Sequence, residues 1–320
     1  MRLAALIVGA CALVLSHGAT AQTYPDRPVR MIVAFSAGGT LDTLARIVAQ
    51  KLTEAWGRSV TVENRPGAGG NIGAVAAAQA APDGYTLHFG AQSLAVNVTI
   101  APMRGFDPVR DFEPVVLVAN VQDVLLVPPD SAIGSVVELI AYAQARPGEL
   151  NYASLGTGSS GHLATVLFSD ITGLKLQHVP YTSVSQAASD VMAGRIFMWF
   201  ATLGGHIGNI QAGKLRALAV SGRARFPPLP DVPTLKETGV PFVDETSWFG
   251  IYAPRGAPKD VVAQINREVN RILAQPDMQE KGATLGFRLI GGPPENLAAM
   301  LQSEIGKWAE VAKSAALTAH

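Results

Sequence analysis

Hydrophobic positions near the start of the chain change their spacing abruptly. Residues 31–35 form an unbroken apolar run, which is typical of a strand covered on both faces by helices. From Leu41 onwards the apolar positions follow one face of a helix, until Gly57 ends the pattern. This stretch therefore predicts a strand, a glycine turn and a helix with Thr40 as its N-cap.

The same order of strand, turn and helix recurs along the chain. Strand-like segments at 59–63, 85–89 and 114–119 flank an alanine-rich helical segment at 74–81. A second unit begins near Val124. It contains a capping box at 135–138, a strand at 151–154, a glycine turn at 156–158 and a helix at 164–172. This alternation predicts an α/β protein with mostly parallel sheets flanked by helices.

The remainder of the chain favours two lobes over one. Further strand-like segments lie at 178–181, 196–202, 215–221 and 247–253, and amphipathic helices at 259–274 and 294–315 close the chain. In the last helix Trp308 continues an apolar stripe with Leu297, Leu301 and Ile305, which we interpret as core. We predict a first lobe from residues 22–124 and 245–320, and a second lobe from residues 125–244.

The first 21 residues have the features of a secretory signal peptide. Arg2 precedes an apolar run at 3–15, which is too short to span a bilayer. Small residues at 19–21 offer a cleavage site, so the mature chain is predicted to begin at Gln22 in the periplasm. Cys11 is the only cysteine and lies in this segment, so neither a disulfide nor a catalytic thiol is expected.

Charge and composition narrow the class of ligand. The chain has 25 basic and 25 acidic residues and no basic stripe, so nucleic acid is not an expected partner. The six histidines lack a metal-binding spacing such as His-x-x-x-His, and no metal or cofactor is predicted. With 48% hydrophobic residues, the chain can bury a large core around a site for a small molecule.

A glycine turn precedes a predicted helix in each lobe. The first turn contains Gly38 and Gly39, and the second contains Gly156 and Gly158. Because glycine has no Cβ, backbone N–H groups can approach a ligand closely at the positive end of the helix dipole. Two such turns facing one cleft predict a ligand with an anionic group at each end.

A set of motifs spread over nearly all of the mature chain carries a family resemblance. The first is Phe-Ser-Ala-Gly-Gly-Thr-Leu-Asp at 35–42, and the others lie at 24–25, 45–46, 63–70, 82–86, 151–154 continuing to 162–163, 179–181, 212–220 and 231–234. Together they resemble the Bug family, the periplasmic solute-binding proteins of tripartite tricarboxylate transporters.

The resemblance implies a type II periplasmic-binding-protein fold, in which two α/β lobes close on a ligand like a Venus flytrap. It also implies that the two glycine turns hold a small carboxylate. The implied partners are the membrane subunits of a tripartite tricarboxylate-type transporter, and the implied state is a monomer. The expected function is therefore capture and delivery of a carboxylate, without enzymatic activity.

The glycine turns and the resemblance together predict the ligand-binding residues. They are Phe35, Ser36, Ala37, Gly38, Gly39, Thr40, Asp42, Ser93, Ser154, Gly156, Thr157, Gly158, Ser159, His162, Tyr181, Ala201 and Trp248. Asp42 could instead serve only as a charge favourable to the helix N terminus, and His162 as a polar residue of the first helical turn. Trp199, Trp248 and Phe249 could contact an apolar ligand body or belong to the core.

The sequence departs from the family pattern at several positions. Ser36 stands where the family commonly has proline, and Thr182 and Ser183 replace a common Lys-Gly pair. Phe197 and Ala201 occupy positions where acidic residues are frequent. Without those carboxylates a ligand ammonium group would lack a partner in a closed cleft. We therefore expect an aliphatic dicarboxylate or an aromatic acid in preference to aspartate or glutamate.

Two other classes of function remain as alternatives. A secreted hydrolase could use Ser159 or Ser160 with His162, but the chain has no Gly-x-Ser-x-Gly elbow, and adjacency in sequence is not triad geometry. A sensor could use the same binding fold to present its closed form to a membrane signalling protein. Sequence favours binding over catalysis but does not separate transport from sensing.

Overall fold

The computed structural model describes residues 24–241 and 247–314. Its strands are β1 (Val29–Val33), β2 (Val60–Asn64), β3 (Thr86–Ala91), β4 (Phe112–Val121), β5 (Asp123–Val127), β6 (Asn151–Ser154), β7 (Gln177–Pro180), β8 (Met198–Thr202), β9 (Arg216–Val220), β10 (Ser247–Pro254) and β11 (Phe287–Leu289). Its helices are α1 (Thr40–Trp56), α2 (Asn71–Ala78), α3 (Ser93–Val96), α4 (Pro108–Asp111), α5 (Val136–Gln144), α6 (Ser160–Thr172), α7 (Val184–Met192), α8 (Ile207–Gln211), α9 (Lys259–Leu273), α10 (Pro276–Thr284) and α11 (Pro294–Ser314).

The strands form two separate sheets. The first has the order β11-β4-β10-β3-β1-β2, and the second has the order β7-β6-β8-β5-β9. In the first sheet β1 pairs in parallel with β2 and β3, whereas β10 is antiparallel to both β3 and β4. In the second sheet β6 pairs in parallel with β7 and β8, whereas β5 is antiparallel to β8 and β9. The predicted α/β fold with two lobes is confirmed, and the antiparallel strands make each sheet mixed.

The chain passes between the two sheets at two places. Gln122 separates β4 of the first sheet from β5 of the second, and the return lies between β9 and β10. The predicted lobe boundary at 124–125 falls within β5, and the boundary at 244–245 lies outside the described residues. Both boundaries stay predictions.

Helix α1 follows the hydrophobic pattern that predicted it. Leu44, Val48 and Leu52 are fully buried against the first sheet, which anchors the helix through one apolar face. Gly57 ends the helix in the left-handed conformation, with a φ of 62°. The predicted N-cap is wrong by one residue, because Gly39 is the cap and Thr40 is already helical. The hydroxyl of Thr40 is therefore available for other contacts.

The C-terminal helix α11 lies over the first sheet and reaches the second lobe. Leu297, Leu301 and Trp308 are buried, which confirms the predicted core stripe. Trp308 packs with Leu163 of the second lobe, and its indole N–H donates to Glu304 at 2.9 Å. The two lobes therefore share a small apolar contact away from the cleft.

The predicted signal peptide, residues 1–21, lies outside the described residues. Among the helices that the structure describes, none combines the length and the apolar content needed to cross a bilayer. Helix α11, for example, carries a charged or polar side chain in nearly every turn.

Candidate functional site

A cleft with about 670 Å³ of space, part of it open to solvent, lies between the two lobes. Much of its lining comes from residues at or just beyond the C-terminal ends of β1, β3, β6 and β8, the inner parallel strands of the two sheets. In open α/β sheets the carboxyl ends of parallel strands are the usual place for a ligand crevice. The fold therefore brings segments that are distant in sequence to one site.

Two helix N termini point to this cleft from opposite lobes. Thr40, Leu41 and Asp42 contribute from the start of α1, and Ser160 and Gly161 contribute from the start of α6. The first N–H groups of a helix have no acceptor within the helix and carry a partial positive charge. Their convergence makes the cleft suitable for an anion with two negative ends.

The loop before α1 is held in shape by the carboxylate of Asp42. Its Oδ2 accepts from the backbone N–H of Gly38 at 2.9 Å and from Nε of Arg46 at 2.9 Å. Its Oδ1 accepts from Nδ2 of Asn64 at 2.8 Å. Burial alone would raise the pKa of this carboxyl, but the hydrogen bonds from Arg46 and the two other donors outweigh burial and lower it. Asp42 is therefore an ionised, fully engaged loop anchor.

Hydrogen bonds cross the cleft from the α1 loop to the second lobe. Oγ1 of Thr40 accepts from the Thr202 hydroxyl at 2.8 Å and from the backbone N–H of Gly205 at 2.8 Å. Oγ of Ser36 accepts from the backbone N–H of Val184 at 3.1 Å. These contacts hold the lobes together around the cleft, so the structure represents a closed arrangement.

The walls of the cleft are apolar and aromatic. Phe35 and Phe249 belong to the first lobe, and Trp199 belongs to the second. Among the described residues that line the cleft there is no lysine or arginine, and Asp42 is the only acidic side chain. An anion would therefore be held by N–H and hydroxyl groups, with a hydrocarbon or aromatic body between them.

No group of three or more His, Cys, Asp or Glu side chains that could hold a metal occurs among the described residues. The backbone N–H groups at the two helix N termini of the cleft attract anions. The arrangement is that of a binding site for an organic anion.

Comparison with known proteins identifies the family. Residues 44–317 match the family described as "Tripartite tricarboxylate transporter family receptor". The chain belongs to this family. The Bug resemblance is confirmed as well, since protein BugT of Bordetella pertussis is 36% identical over 296 residues, covering 92% of this chain and 91% of BugT.

Solved structures of similar proteins share the fold and contain carboxylates. The R. palustris protein Rpa4515, solved with adipate, has a TM-score of 0.88 and 37% identity, covering 92% of this chain and 98% of that one. MatC from Rhodopseudomonas palustris, solved with bound malate, has a TM-score of 0.86 and 30% identity, covering 90% of this chain and 99% of that one. The receptor is a solute-binding protein of a family that binds carboxylates, and not an enzyme.

The cleft of this receptor brings together part of the predicted site. The predicted residues in its lining are Phe35, Ser36, Gly39, Thr40, Asp42, Ser93, Ser159 and Ala201. The predicted residues outside the lining are Ala37, Gly38, Ser154, Gly156, Thr157, Gly158, His162, Tyr181 and Trp248. Ala37 and Gly38 belong to the same loop as their lining neighbours, and Gly38 needs glycine because its φ is 81°.

The second glycine turn of the receptor contacts the other lobe instead of the cleft. Gly156 and Gly158 have φ angles of 101° and 82°. A Cβ at Gly69 would lie 2.0 Å from the carbonyl oxygen of Thr157, so the two loops pack backbone against backbone. The residues that follow the turn, Ser159 to Gly161, are the ones that line the cleft. The turn therefore positions the helix N terminus.

Ser154, His162 and His178 form a polar cluster that hydrogen-bonds to the backbone of this turn. Oγ of Ser154 lies 2.6 Å from Nε2 of His178 and accepts from the N–H of Gly156 at 3.0 Å. Nδ1 of His162 accepts from the N–H of Gly158 at 3.4 Å, and the His162 ring lies 4.6 Å from the His178 ring. Burial lowers the pKa of His162 to about 4, so its acceptor role is kept at neutral pH.

Two further predicted residues, Trp248 and Tyr181, lie outside the lining of the cleft. Trp248 is buried on the face of β10 that packs on α2, α3 and α11, whereas Phe249 and Ser247 face the cleft. Tyr181 follows β7, and its hydroxyl donates to Asp190 at 2.7 Å. Both residues stabilise the lobes without lining the site.

Several lining residues were not predicted. They are Leu41, Ala91, Gln92, Leu155, Ser160, Gly161, Val184, Phe200, Thr202, His206 and Ser247. Gln92 and Thr202 lie at the ends of β3 and β8, so the rule about strand ends could have found them. Val184 is the first residue of α7, and His206 directly precedes α8. Neither residue lies in a recognisable sequence motif.

Proposed function

We propose that this chain is an extracytoplasmic receptor that captures a dicarboxylate between its lobes and delivers it to the membrane subunits of a tripartite tricarboxylate-type transporter. One observation carries the proposal. The N termini of α1 and α6, one from each lobe, converge on a single cleft whose described lining contains no lysine or arginine. Such a cleft suits two carboxylates separated by an apolar body.

The shape of the cleft favours a ligand with a hydrocarbon or aromatic body. Phe35, Trp199 and Phe249 supply apolar walls between the two helix N termini. Relatives with bound adipate and malate support the carboxylate class. Adipate has an uncharged four-carbon body between its carboxylates, which matches these walls better than a body that carries a charge.

The described lining offers a ligand ammonium group no carboxylate other than that of Asp42. The carboxylate oxygens of Asp42 already accept hydrogen bonds from the loop and from Arg46. Ala201 lies in the cleft without a charge, and Phe197 lies outside it, stacked on Tyr142 with ring centroids 5.6 Å apart. Burying an unpaired ammonium costs several kcal/mol, so aspartate and glutamate should bind poorly.

A thermal-shift screen followed by calorimetry tests the ligand class. Succinate, adipate and terephthalate should stabilise the protein, and a ligand at 100 times its dissociation constant adds about 2.7 kcal/mol to the free energy of unfolding. Aspartate, glutamate and neutral sugars serve as comparison ligands. Stabilisation by sugars alone would contradict the anion site, and tighter binding of aspartate than of every dicarboxylate would contradict the missing ammonium partner.

Export and delivery are tested in cells. We infer periplasmic export from the first 21 residues, and N-terminal sequencing of the exported protein should give Gln22 as the first residue. Deletion of the gene should abolish uptake of the radiolabelled dicarboxylate that binds best. Normal uptake combined with loss of a transcriptional response to that ligand would favour the sensor role over transport.

A further inference from the structure

His206 lies in the cleft with an unsatisfied polar atom. The residue is 3% exposed, and its Nδ1 has no hydrogen-bond partner among the described residues. Leaving a buried polar atom unpaired costs about 1–3 kcal/mol, so such an atom in a native protein calls for an explanation, such as a bound water, ion or ligand. A histidine kept in this position therefore calls for a partner that the protein itself does not supply.

The surroundings of His206 fix its position beside the ligand site. Its ring meets Trp199 edge to face, with ring centroids 4.7 Å apart. The preceding residue, Gly205, donates its N–H to Thr40 of the first lobe at 2.8 Å. His206 is thus held at the place where the second lobe closes on the N terminus of α1.

Ser159 is a second side chain of the same kind. Its Oγ is buried without a partner among the described residues, and it caps no N–H of α6 although it precedes that helix. Ser159 and His206 are the members of this class of buried, unsatisfied side chains that line the cleft, and both belong to the second lobe. The unsatisfied hydrogen-bonding groups of the cleft therefore lie on its second-lobe side.

We propose that His206 and Ser159 bind the second oxygen-bearing group of the ligand and so determine the preference for dicarboxylates over monocarboxylates. This inference rests on the proposed function, because it assumes that the cleft binds carboxylates. A neutral imidazole can donate one N–H to a carboxylate oxygen, and the serine hydroxyl can donate another bond to the same group.

The protonation state of His206 agrees with a neutral donor. Burial lowers the pKa of His206 to about 4, so the ring is uncharged at pH 7. Recognition therefore depends on hydrogen-bond geometry and not on a fixed positive charge.

Matched ligand pairs test this role of His206. Each pair joins a dicarboxylate to its monocarboxylate analogue: succinate with butyrate, adipate with hexanoate, and terephthalate with benzoate. The pair whose dicarboxylate binds the wild-type protein most tightly is used for calorimetry. The readout is the preference ratio, which is the dissociation constant of the monocarboxylate divided by that of the dicarboxylate. Contacts that both ligands share cancel in this ratio, so it reports the contribution of the second carboxylate.

The variants separate the nitrogen from the ring. His206→Phe keeps an aromatic ring against Trp199 but loses the hydrogen bond, so the dicarboxylate should bind about 10- to 100-fold more weakly and the monocarboxylate less than about 3-fold more weakly. His206→Asn places a polar atom near the position of Nδ1 and should restore most of the ratio. Ser159→Ala should lower the ratio without changing the melting temperature, since Ser159 makes no cap bond.

Tyr252→Phe provides the control. The Tyr252 hydroxyl is also buried without a partner among the described residues, but Tyr252 lies in the core of the first lobe. This variant should leave both dissociation constants unchanged. Equal weakening of both ligands in His206→Phe, or no weakening of either, would overturn the role of His206. If the wild-type protein bound no carboxylate at all, the proposed function would fail instead, so the two failures are distinguishable.

Discussion

Asp42 shows how a carboxylate can lie in an anion-binding cleft without opposing the ligand. All of its hydrogen bonds run to the loop, to Arg46 and to Asn64, so its charge is neutralised locally. The sequence left open whether Asp42 contacts ligand or only favours the helix N terminus. The geometry adds a third role, in which the side chain fixes the backbone that contacts the ligand.

Replacing Asp42 by asparagine tests this anchoring role. The asparagine amide keeps one acceptor oxygen, but its NH₂ group replaces the other. That NH₂ group would face N–H donors that now bond to a carboxylate oxygen. We expect Asp42→Asn to lower the free energy of unfolding by about 1–3 kcal/mol and to weaken dicarboxylate binding, as measured by urea unfolding and calorimetry. Asp170→Asn, at an exposed helix position, is the matched control. Unchanged stability of Asp42→Asn would show that the loop holds its shape without this anchor.

Asp123 is a second informative carboxyl, at the first crossing between the lobes. It is buried, its Oδ2 accepts from the Ser247 hydroxyl at 3.3 Å, and its Oδ1 has no partner among the described residues. Burial raises the pKa of Asp123 to about 7 from its ordinary value of 3.8, and the bond from Ser247 offsets this only in part. The folded protein therefore retains a proton that the unfolded chain releases above pH 4.

This proton makes stability depend on pH. The stabilisation that it provides is complete below pH 3.8 and is lost as the pH rises through about 7. Asp123→Asn removes the titration, so the variant should gain about 4 kcal/mol of unfolding free energy relative to wild type between pH 4 and pH 8. Urea unfolding of both proteins at several pH values measures this difference. A difference that does not change with pH would show that Asp123 does not titrate in this range.

At the scale of elements, the sequence predicted most strands and helices, because their hydrophobic periods are clear. The α1 stripe and the α11 stripe are examples, and both are buried as expected. Helix α7 was missed although Val184, Ala187 and Val191 also form a buried stripe. The run is short, and its small residues resemble a loop when the sheet beneath it is not known.

The site was harder to predict than the fold, for a geometric reason. Alternation along β10 shows that Trp248 and Phe249 face opposite sides, but it does not say which side meets the other lobe. That choice depends on where the second sheet lies, and the relation between the sheets is set by the crossings at Gln122 and after β9. The same limit applies to His206, whose position depends on Thr40 of the other lobe.

Gly39, the residue before α1, leaves room for Val184 of the opposite lobe. Gly39 has an ordinary φ of −81°, but a Cβ there would lie 3.1 Å from Cγ2 of Val184. Gly39→Val should therefore hinder closure while leaving the unliganded fold intact. We expect a loss of dicarboxylate affinity of at least about tenfold in calorimetry, with a melting temperature close to wild type. Gly306→Val, where a Cβ meets no neighbour, should bind normally.

At the scale of the whole molecule, closure depends on several contacts between the lobes. Thr40 bonds to the second lobe beside the cleft, the Gly69 loop packs on Thr157, and Trp308 packs on Leu163. Together these contacts hold the two lobes in the closed arrangement. A ligand that touches both lobes favours this form by its differential affinity for closed over open.

Solution scattering tests the closure directly. A ligand that bridges the two helix N termini should shift the population towards the closed form and lower the radius of gyration. The measurement compares the wild-type protein and Gly39→Val, each with and without the tightest dicarboxylate at saturation. In Gly39→Val the radius should fall less, since the added side chain meets Val184 before the Thr40 contacts form. An unchanged radius in the wild-type protein at saturation would contradict bridging, because a ligand bound to one lobe alone leaves the equilibrium between open and closed forms where it was.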